Sequence, residues 1–180
     1  VKDLLRSIYP KSLHVAGGVH VNLFQEDSAR IFDSIALGEG DDTVVTIIED
    51  ILNGGLKPVY EKSDPVDINR YPYPDRKFIP LPAVVETRLL GGEHMDLPGT
   101  SVLFSRGCPF RCSFCANVNF GPTRFRKPEL IEAEIEYLKK QYNVQALALK
   151  DDNAIPTNRK VAGPFLEAIA RTQVKWRGQS

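Results

Sequence analysis

No stretch of this chain approaches the about 20 consecutive apolar residues that a bilayer-spanning helix requires. Excess charge of either sign is also missing: 23 Lys plus Arg balance 23 Asp plus Glu. That balance removes the electrostatic case for a nucleic-acid partner or an acidic membrane surface. The first residues, Val1-Lys2-Asp3-Leu4-Leu5, hold neither an initiator Met nor a secretory signal pattern and read as the middle of an amphipathic helix. The last, Trp176-Arg177-Gly178-Gln179-Ser180, stop just after a strand-like run, so a piece of a longer protein is expected. Cysteine is scarce, with three residues and no fourth. An odd count without secretory features argues against a disulfide framework and for a reducing, cytoplasmic setting.

All three cysteines fall in one run of eight residues, Cys108-Pro109-Phe110-Arg111-Cys112-Ser113-Phe114-Cys115, spaced C-x3-C-x2-C. Three thiolates on a four-iron cluster leave one iron without a protein donor, and an open iron can bind a substrate or cofactor. The run Ser101-Val102-Leu103-Phe104 has strand character. Gly107 then permits backbone conformations closed to other residues, and Pro109 fixes its own φ. The cysteines are therefore expected on a loop leaving the C-terminal end of a strand. A structural zinc site is the alternative. It wants four ligands, and only His94, in Gly91-Gly92-Glu93-His94, is available to complete the set, without ligand-type spacing to the cysteines.

The segment SVLFSRGCPFRCSFC resembles the signature of the radical S-adenosylmethionine (SAM) superfamily, with Phe114 in the aromatic position before the last Cys. The resemblance implies a radical SAM enzyme in which Cys108, Cys112 and Cys115 ligate a [4Fe-4S] cluster and SAM chelates the open iron. One electron from the cluster then cleaves SAM to methionine and a 5′-deoxyadenosyl radical. It further implies that Phe114 backs the cluster near the adenine, and that Asp151, Asp152 and Asn153 meet the SAM amino group. An electron donor such as a flavodoxin or ferredoxin is implied, with a small-molecule substrate. Read from the residues alone, Asp and Asn at a strand end also serve as turn and cap residues, and both readings of Asp151-Asp152-Asn153 stay open. Arg106 and Arg111 can offset cluster charge, with a solvated surface position the alternative for Arg111, and Gln179 and Arg177 fall at the next strand end, where they are expected to reach SAM or substrate.

The first fifty residues read as α/β. A strand at Leu13-His14-Val15-Ala16 ends in Gly17-Gly18-Val19-His20, and a helical segment spans about Gln25 to Phe32. A second strand, Ser34-Ile35-Ala36-Leu37, ends in Gly38-Glu39-Gly40-Asp41-Asp42. Asp41 or Asp42 is expected to cap the next helix, which Gly54-Gly55 stops. Two strands ending in glycine before helices predict part of a doubly wound sheet, which binds ligands at the carboxyl ends of its strands. Beside the cysteine motif, VAGGVH followed by IALGEGDD resembles the last part of a Rossmann-like, cobalamin-binding domain. That resemblance implies that Gly17, Gly18, Gly38, Glu39 and Gly40 approach cobalamin, and it makes methyl transfer, ring formation or rearrangement the expected chemistry. The D-x-H-x-x-G element that supplies a His to cobalt in that family is absent, and His20 reads as a loop residue beside a turn.

The expected organisation is a partial cobalamin-binding-like α/β domain over 1–54, a Pro-rich linker over 55–100 and the truncated N-terminal part of a TIM-type radical SAM barrel over 101–180. Seven of the thirteen prolines lie in the linker, where a run such as Ala83-Val84-Val85 has the makings of a short edge strand. From Pro128 a helix carries Ile131, Ile135, Leu138 and Tyr142 on one face and stops at Asn143. A buried strand, Val144 to Leu149, follows, then a helix with Leu166, Ile169 and Ala170 inward, then the strand Val174 to Arg177. This β-α-β-α-β order predicts parallel strands with the Cys loop, the Asp-Asp-Asn loop and the C-terminal tail on one rim.

Overall fold

A computed structural model of the chain describes residues 2–62, 64–115 and 123–179. The molecule is mixed α/β with parallel sheets, and it divides into two compact units: Val1–Val66 with Cys112–Asn119, and Asp67–Arg111 with Phe120–Ser180.

The first unit opens with α1 (Lys2–Ile8), β1 (Val15–Gly17), α2 (Val19–Leu23), α3 (Gln25–Ile31), β2 (Ser34–Gly38), α4 (Gly40–Leu52) and β3 (Val59–Lys62). The three strands form one parallel sheet in the order β1-β2-β3. Its small core gathers Val21, Ile35 and Leu37. β3 lies in the Pro-rich span, where composition hid it. Buried Tyr60 anchors it, donating from its hydroxyl to Asp50 Oδ2 at 2.7 Å and accepting from the Lys57 N–H at 3.0 Å. The expected capping role of Asp41 or Asp42 is corrected. Helix α4 begins at Gly40 behind an extended Glu39 without a side-chain cap, and both aspartates sit inside its first turn, where they meet the positive end of the helix dipole.

The second unit contains α5 (Leu81–Val84), β4 (Gly99–Val102), β5 (Ser105–Arg106), β6 (Arg124–Phe125), α6 (Pro128–Tyr142), β7 (Ala146–Leu149), α7 (Arg159–Arg171) and β8 (Lys175–Arg177). Strands β4, β7 and β8 form a parallel sheet with β7 in the centre, while β5 and β6 pair antiparallel. All four residues of β7 are buried, the pattern of a strand covered on both faces. Helix α6 starts with Pro128 in its first turn and ends where Asn143 takes φ 54°, a left-handed conformation that Asn tolerates. Its Ile131, Ile135 and Leu138 pack with Phe104, Leu147 and Phe165 into the core.

Three details depart from expectation. Ala83-Val84-Val85 does not form a strand, because Pro82 at the start of α5 presets a helical turn; only Glu86 bridges to Gly99. The strand expected over 101–104 starts earlier and ends at Val102. Ala170 is exposed, because the buried stripe of α7 runs through Phe165, Ala168 and Ile169, roughly 100–160° around the helix from it.

Two carboxyl groups in this unit, those of Glu134 and Asp151, belong to residues only 3% exposed. Glu134, on α6, has Arg76 at 3.9 Å. Arg76 also donates to Thr100 Oγ1 at 2.6 Å and to the Ser101 carbonyl at 2.9 Å. Burial pushes the Glu134 carboxyl up, and the charges of Arg126 and Arg76 only partly offset this. The folded unit therefore holds that proton more tightly than the unfolded chain, where the ordinary value is 4.5. This contribution to stability is present below that value and is lost as pH rises through the elevated folded one. The expected result is an unfolding free energy that falls with rising pH in this window, by at most about 1.4 kcal/mol per pH unit for one group. Denaturant midpoints measured across pH should show a shallower fall in Glu134→Gln; an unchanged slope would refute the assignment.

Candidate functional site

In the second unit, the loops that follow β4, β7 and β8 leave the same edge of the parallel sheet. β4 ends at Val102, whose carbonyl accepts from the Lys150 N–H at 2.9 Å. The chain then bends. Successive N–H groups in a strand point in opposite directions, yet those of Phe104 (2.9 Å) and Ser105 both donate to Oδ1 of Asp151. The Ser105 hydroxyl donates to the same oxygen at 2.6 Å. On the other side the Arg126 N–H donates to the Phe104 carbonyl at 2.7 Å, and β5 pairs with β6. Gly107 follows, buried and at φ 84°, a conformation that favours glycine. Cys108 comes next. The stem of the cysteine loop is thus fixed from two sides before the first thiol.

Cys108 is half-buried, while Cys112 and Cys115 are exposed, and none is in a disulfide. The Cys115 N–H donates to the Cys112 carbonyl at 3.0 Å, which closes a tight turn around Ser113 and Phe114. Phe114 is 90% exposed. Among the described residues no three His, Cys, Asp or Glu side chains are gathered closely enough to hold a metal ion. What fits iron here is the donor set: three thiols on one short loop, with no fourth in the sequence. The loop runs on through 117–122, outside the described residues.

The Asp-Asp-Asn segment separates into two kinds of residue. Asp151 is 3% exposed and Asn153 5%, while Asp152 faces solvent. Burial pushes the Asp151 carboxyl up, although its bonds from Ser105 and Phe104 pull the other way. Its Oδ2 is buried and has no hydrogen-bond partner among the described residues. Gln179 is exposed, and its carbonyl accepts from the Ala154 N–H at 2.7 Å, so the tail after β8 is tied to the loop after β7. Gly178 makes this approach possible, since a Cβ there would lie 2.6 Å from the Ala154 Cβ. Arg106 is half-buried, whereas Arg111 and Arg177 are exposed.

In the first unit the glycine-ended loops follow the parallel strands β1 and β2. Gly18 (φ 90°) and Gly40 have open space where a Cβ would stand. Gly38 (φ 80°) does not, since a Cβ there would sit 2.5 Å from the Lys62 carbonyl oxygen. A Cβ on Gly17 would come within 3.3 Å of the Ala36 carbonyl oxygen. Glu39 is half-buried, and its carboxylate accepts from the Val66 N–H at 2.7 Å. Asn22, which sequence reasoning missed, bridges the two loops: its Nδ2 donates to the Gly18 carbonyl at 2.8 Å and its Oδ1 accepts from the Gly38 N–H at 2.9 Å. Its only sequence signal was a polar residue in the short helix beside the first glycine pair.

Comparison with known proteins gives a family and several relatives. The family model described as "Radical SAM superfamily" matches residues 102–150. Bacteriochlorophyllide d C-8(2)-methyltransferase of Chlorobaculum tepidum is 32% identical over 133 residues, covering 71% of this chain and 28% of that protein. Anaerobic magnesium-protoporphyrin IX monomethyl ester cyclase of Synechocystis sp. is 31% identical over 184 residues, covering 92% of this chain and 35% of that protein. Bacteriochlorophyllide d C-12(1)-methyltransferase of Chlorobaculum tepidum is 26% identical over 166 residues, covering 89% and 34%. The chain therefore spans about a third of the length of these curated relatives. No solved structure matches it significantly. The zinc alternative gains nothing here, and His94 lies in a short turn beside Glu93, its Nε2 3.5 Å from that carboxylate.

The two glycine loops respond differently to substitution. Gly38→Ala combines a left-handed φ with a backbone clash and should destabilise by about 2 kcal/mol or more. Asn22→Ala loses two exposed hydrogen bonds and should cost about 1 kcal/mol or less. Chemical denaturation ranks the two, and a Gly38→Ala protein as stable as wild type would contradict the packing described.

Proposed function

The chain belongs to the radical SAM superfamily, and we propose that within a longer enzyme it supplies the loop that holds a [4Fe-4S] cluster and part of the surface that presents SAM to it. The observation that carries this reading is the three-cysteine loop on a stem fixed at the end of a parallel strand, inside the span matched by the family. When bound, the cluster supplies the electron that splits SAM into methionine and a 5′-deoxyadenosyl radical.

The chain's own residues divide the remaining work. Cys108, Cys112 and Cys115, as thiolates, would hold the cluster with three protein donors, one fewer than its irons. Phe114, exposed as it is, offers an apolar face to the adenine. Asp152, the exposed member of the Asp-Asp-Asn loop, pairs with the SAM ammonium, and Gln179 stands on the neighbouring loop. On this reading β4, β7 and β8 with their helices are the first units of a partial TIM-type barrel, which places chemistry at the carboxyl ends of its strands.

The first unit is read as the end of a Rossmann-like, cobalamin-binding-type domain. The fit lies in Gly18 and Gly40, where nothing occupies the space a Cβ would take and backbone can approach a large ligand closely. Cobalamin, when bound, would carry the methyl group. Relatives named as methyltransferases and as a cyclase favour methyl transfer to an unactivated carbon or ring closure. A cytoplasmic setting and an electron donor of the flavodoxin or ferredoxin type complete the proposal.

In the full-length protein purified anaerobically, wild type should contain roughly four irons with matching sulfide per chain, and Cys112→Ala should fall to background. 5′-Deoxyadenosine formation from SAM should be lost with it. Stoichiometric zinc without iron, or undiminished SAM cleavage in Cys112→Ala, would overturn the proposal. Cobalt content of the same preparation tests the cobalamin part separately.

A further inference from the structure

We propose that Asp151 is a positioning residue for the cysteine loop: its carboxylate holds the bend that sets where Cys108 stands. The inference rests on the cluster reading above and gives Asp151 a task distinct from contact with SAM.

The argument begins with an accounting of N–H groups. Val102 is the last residue of β4 paired with β7. Beyond it, the N–H groups of Phe104 and Ser105 lie in the protein interior, where both residues are buried. Buried N–H groups need partners, and the strand ladder no longer supplies them. Asp151, two residues past the end of β7, supplies one oxygen to both and to the Ser105 hydroxyl as well. Two successive N–H groups aimed at one acceptor define a turn, the concave arrangement that backbones adopt around an anion. The anion here belongs to the protein itself and sits 47 residues along the chain from Phe104.

The placement matters because little else intervenes. After Ser105 come Arg106, the left-handed Gly107 and then Cys108. β5 and its antiparallel partner β6 hold the opposite side of the same short segment. Moving the bend would therefore move the first thiol. Groups that orient a metal's ligands without touching the metal commonly change affinity by about 10–100-fold when removed.

The three donors converge on Oδ1, while Oδ2 has no partner among the described residues. An amide oxygen can do what Oδ1 does, since it too accepts hydrogen bonds. The role is that of an acceptor, and Asn should substitute for Asp where Ala cannot. A residue that served SAM through its charge would behave otherwise, because Asn would weaken SAM binding and leave the iron untouched.

The test uses the full-length protein as wild type, Asp151→Asn and Asp151→Ala, reconstituted with iron and sulfide under anaerobic conditions. Asp151→Asn should retain iron as wild type does, and Asp151→Ala should lose iron to a ferrous chelator about tenfold faster or more. In the iron-free proteins, hydrogen exchange at the Phe104 and Ser105 amides should be slow in wild type and Asp151→Asn and severalfold faster in Asp151→Ala. Equal iron retention and equal exchange in a folded Asp151→Ala protein would overturn the inference. So would an Asp151→Asn protein as poor as the alanine variant, or one that keeps its iron but binds SAM more weakly. If Asp151→Ala does not fold, Ser105→Ala removes one of the three donors; a measurable rise in iron loss and in Phe104 exchange is expected, and no change in either overturns the inference. A wild-type protein that takes up no iron would instead sink the cluster reading itself.

Discussion

Parallel pairing of β7 with a strand on each side is the constraint from which the candidate cluster site follows. β7 is four residues long and wholly buried, with β4 in register along one side and β8 along the other. Because the three strands run the same way, the segments leaving them must share one edge of the sheet. The stem that leads to Cys108, the Asp-Asp-Asn loop and the Gly178-Gln179 tail all leave from that edge. Apolar burial at Leu147 and Leu149, against Ile131, Ile135 and Phe165, is what holds that pairing in water. The polar contacts at the edge then refine positions that the core has already imposed.

Much of this was legible in the chain because it is encoded locally. Ile131, Ile135 and Leu138 recur at helical spacing, Pro128 opens the helix, and Asn143 closes it in the left-handed conformation that its short polar side chain tolerates. The unbroken apolar run before Lys150 reads as a strand covered on both faces, and it is one. Where local signals misled, a neighbouring residue or a distant partner had decided the outcome. Pro82 set a helical turn at a run of β-branched residues that by itself favours a strand. β3 formed among prolines because Tyr60 found Asp50 and the backbone of Lys57 in a buried position.

The candidate site shows the same division. Three cysteines in eight residues announce their chemistry through donor type and spacing, which need no tertiary information. Asp151 does not. In sequence it is one of a pair of aspartates at a strand end, and both a ligand contact and a turn residue are consistent with that. Only the fold shows that the first carboxylate turns inward onto backbone N–H groups 46 and 47 residues away while the second faces solvent. Asn22 was illegible for the same reason: its partners Gly18 and Gly38 come together only when β1 and β2 pair.

Each unit, taken by itself, meets one difficulty of parallel sheets. At the carboxyl edge the ladder ends, and the N–H groups of the departing loops need acceptors. A side chain supplies them in both cases, but the choice differs with burial. Asn22 is part-exposed and neutral, and it ties two loops whose Gly18 leaves its surroundings open. Asp151 is buried, and three donors converge on one of its oxygens. What the stem needs there is an acceptor oxygen within reach of buried N–H groups that would otherwise go unpaired. The stem of an ordinary surface loop, whose N–H groups reach water, would not require one. A buried stem is intelligible if the segment after it must present a thiol at a fixed place. The amide in the first unit ties its two loops as donor to one and acceptor from the other.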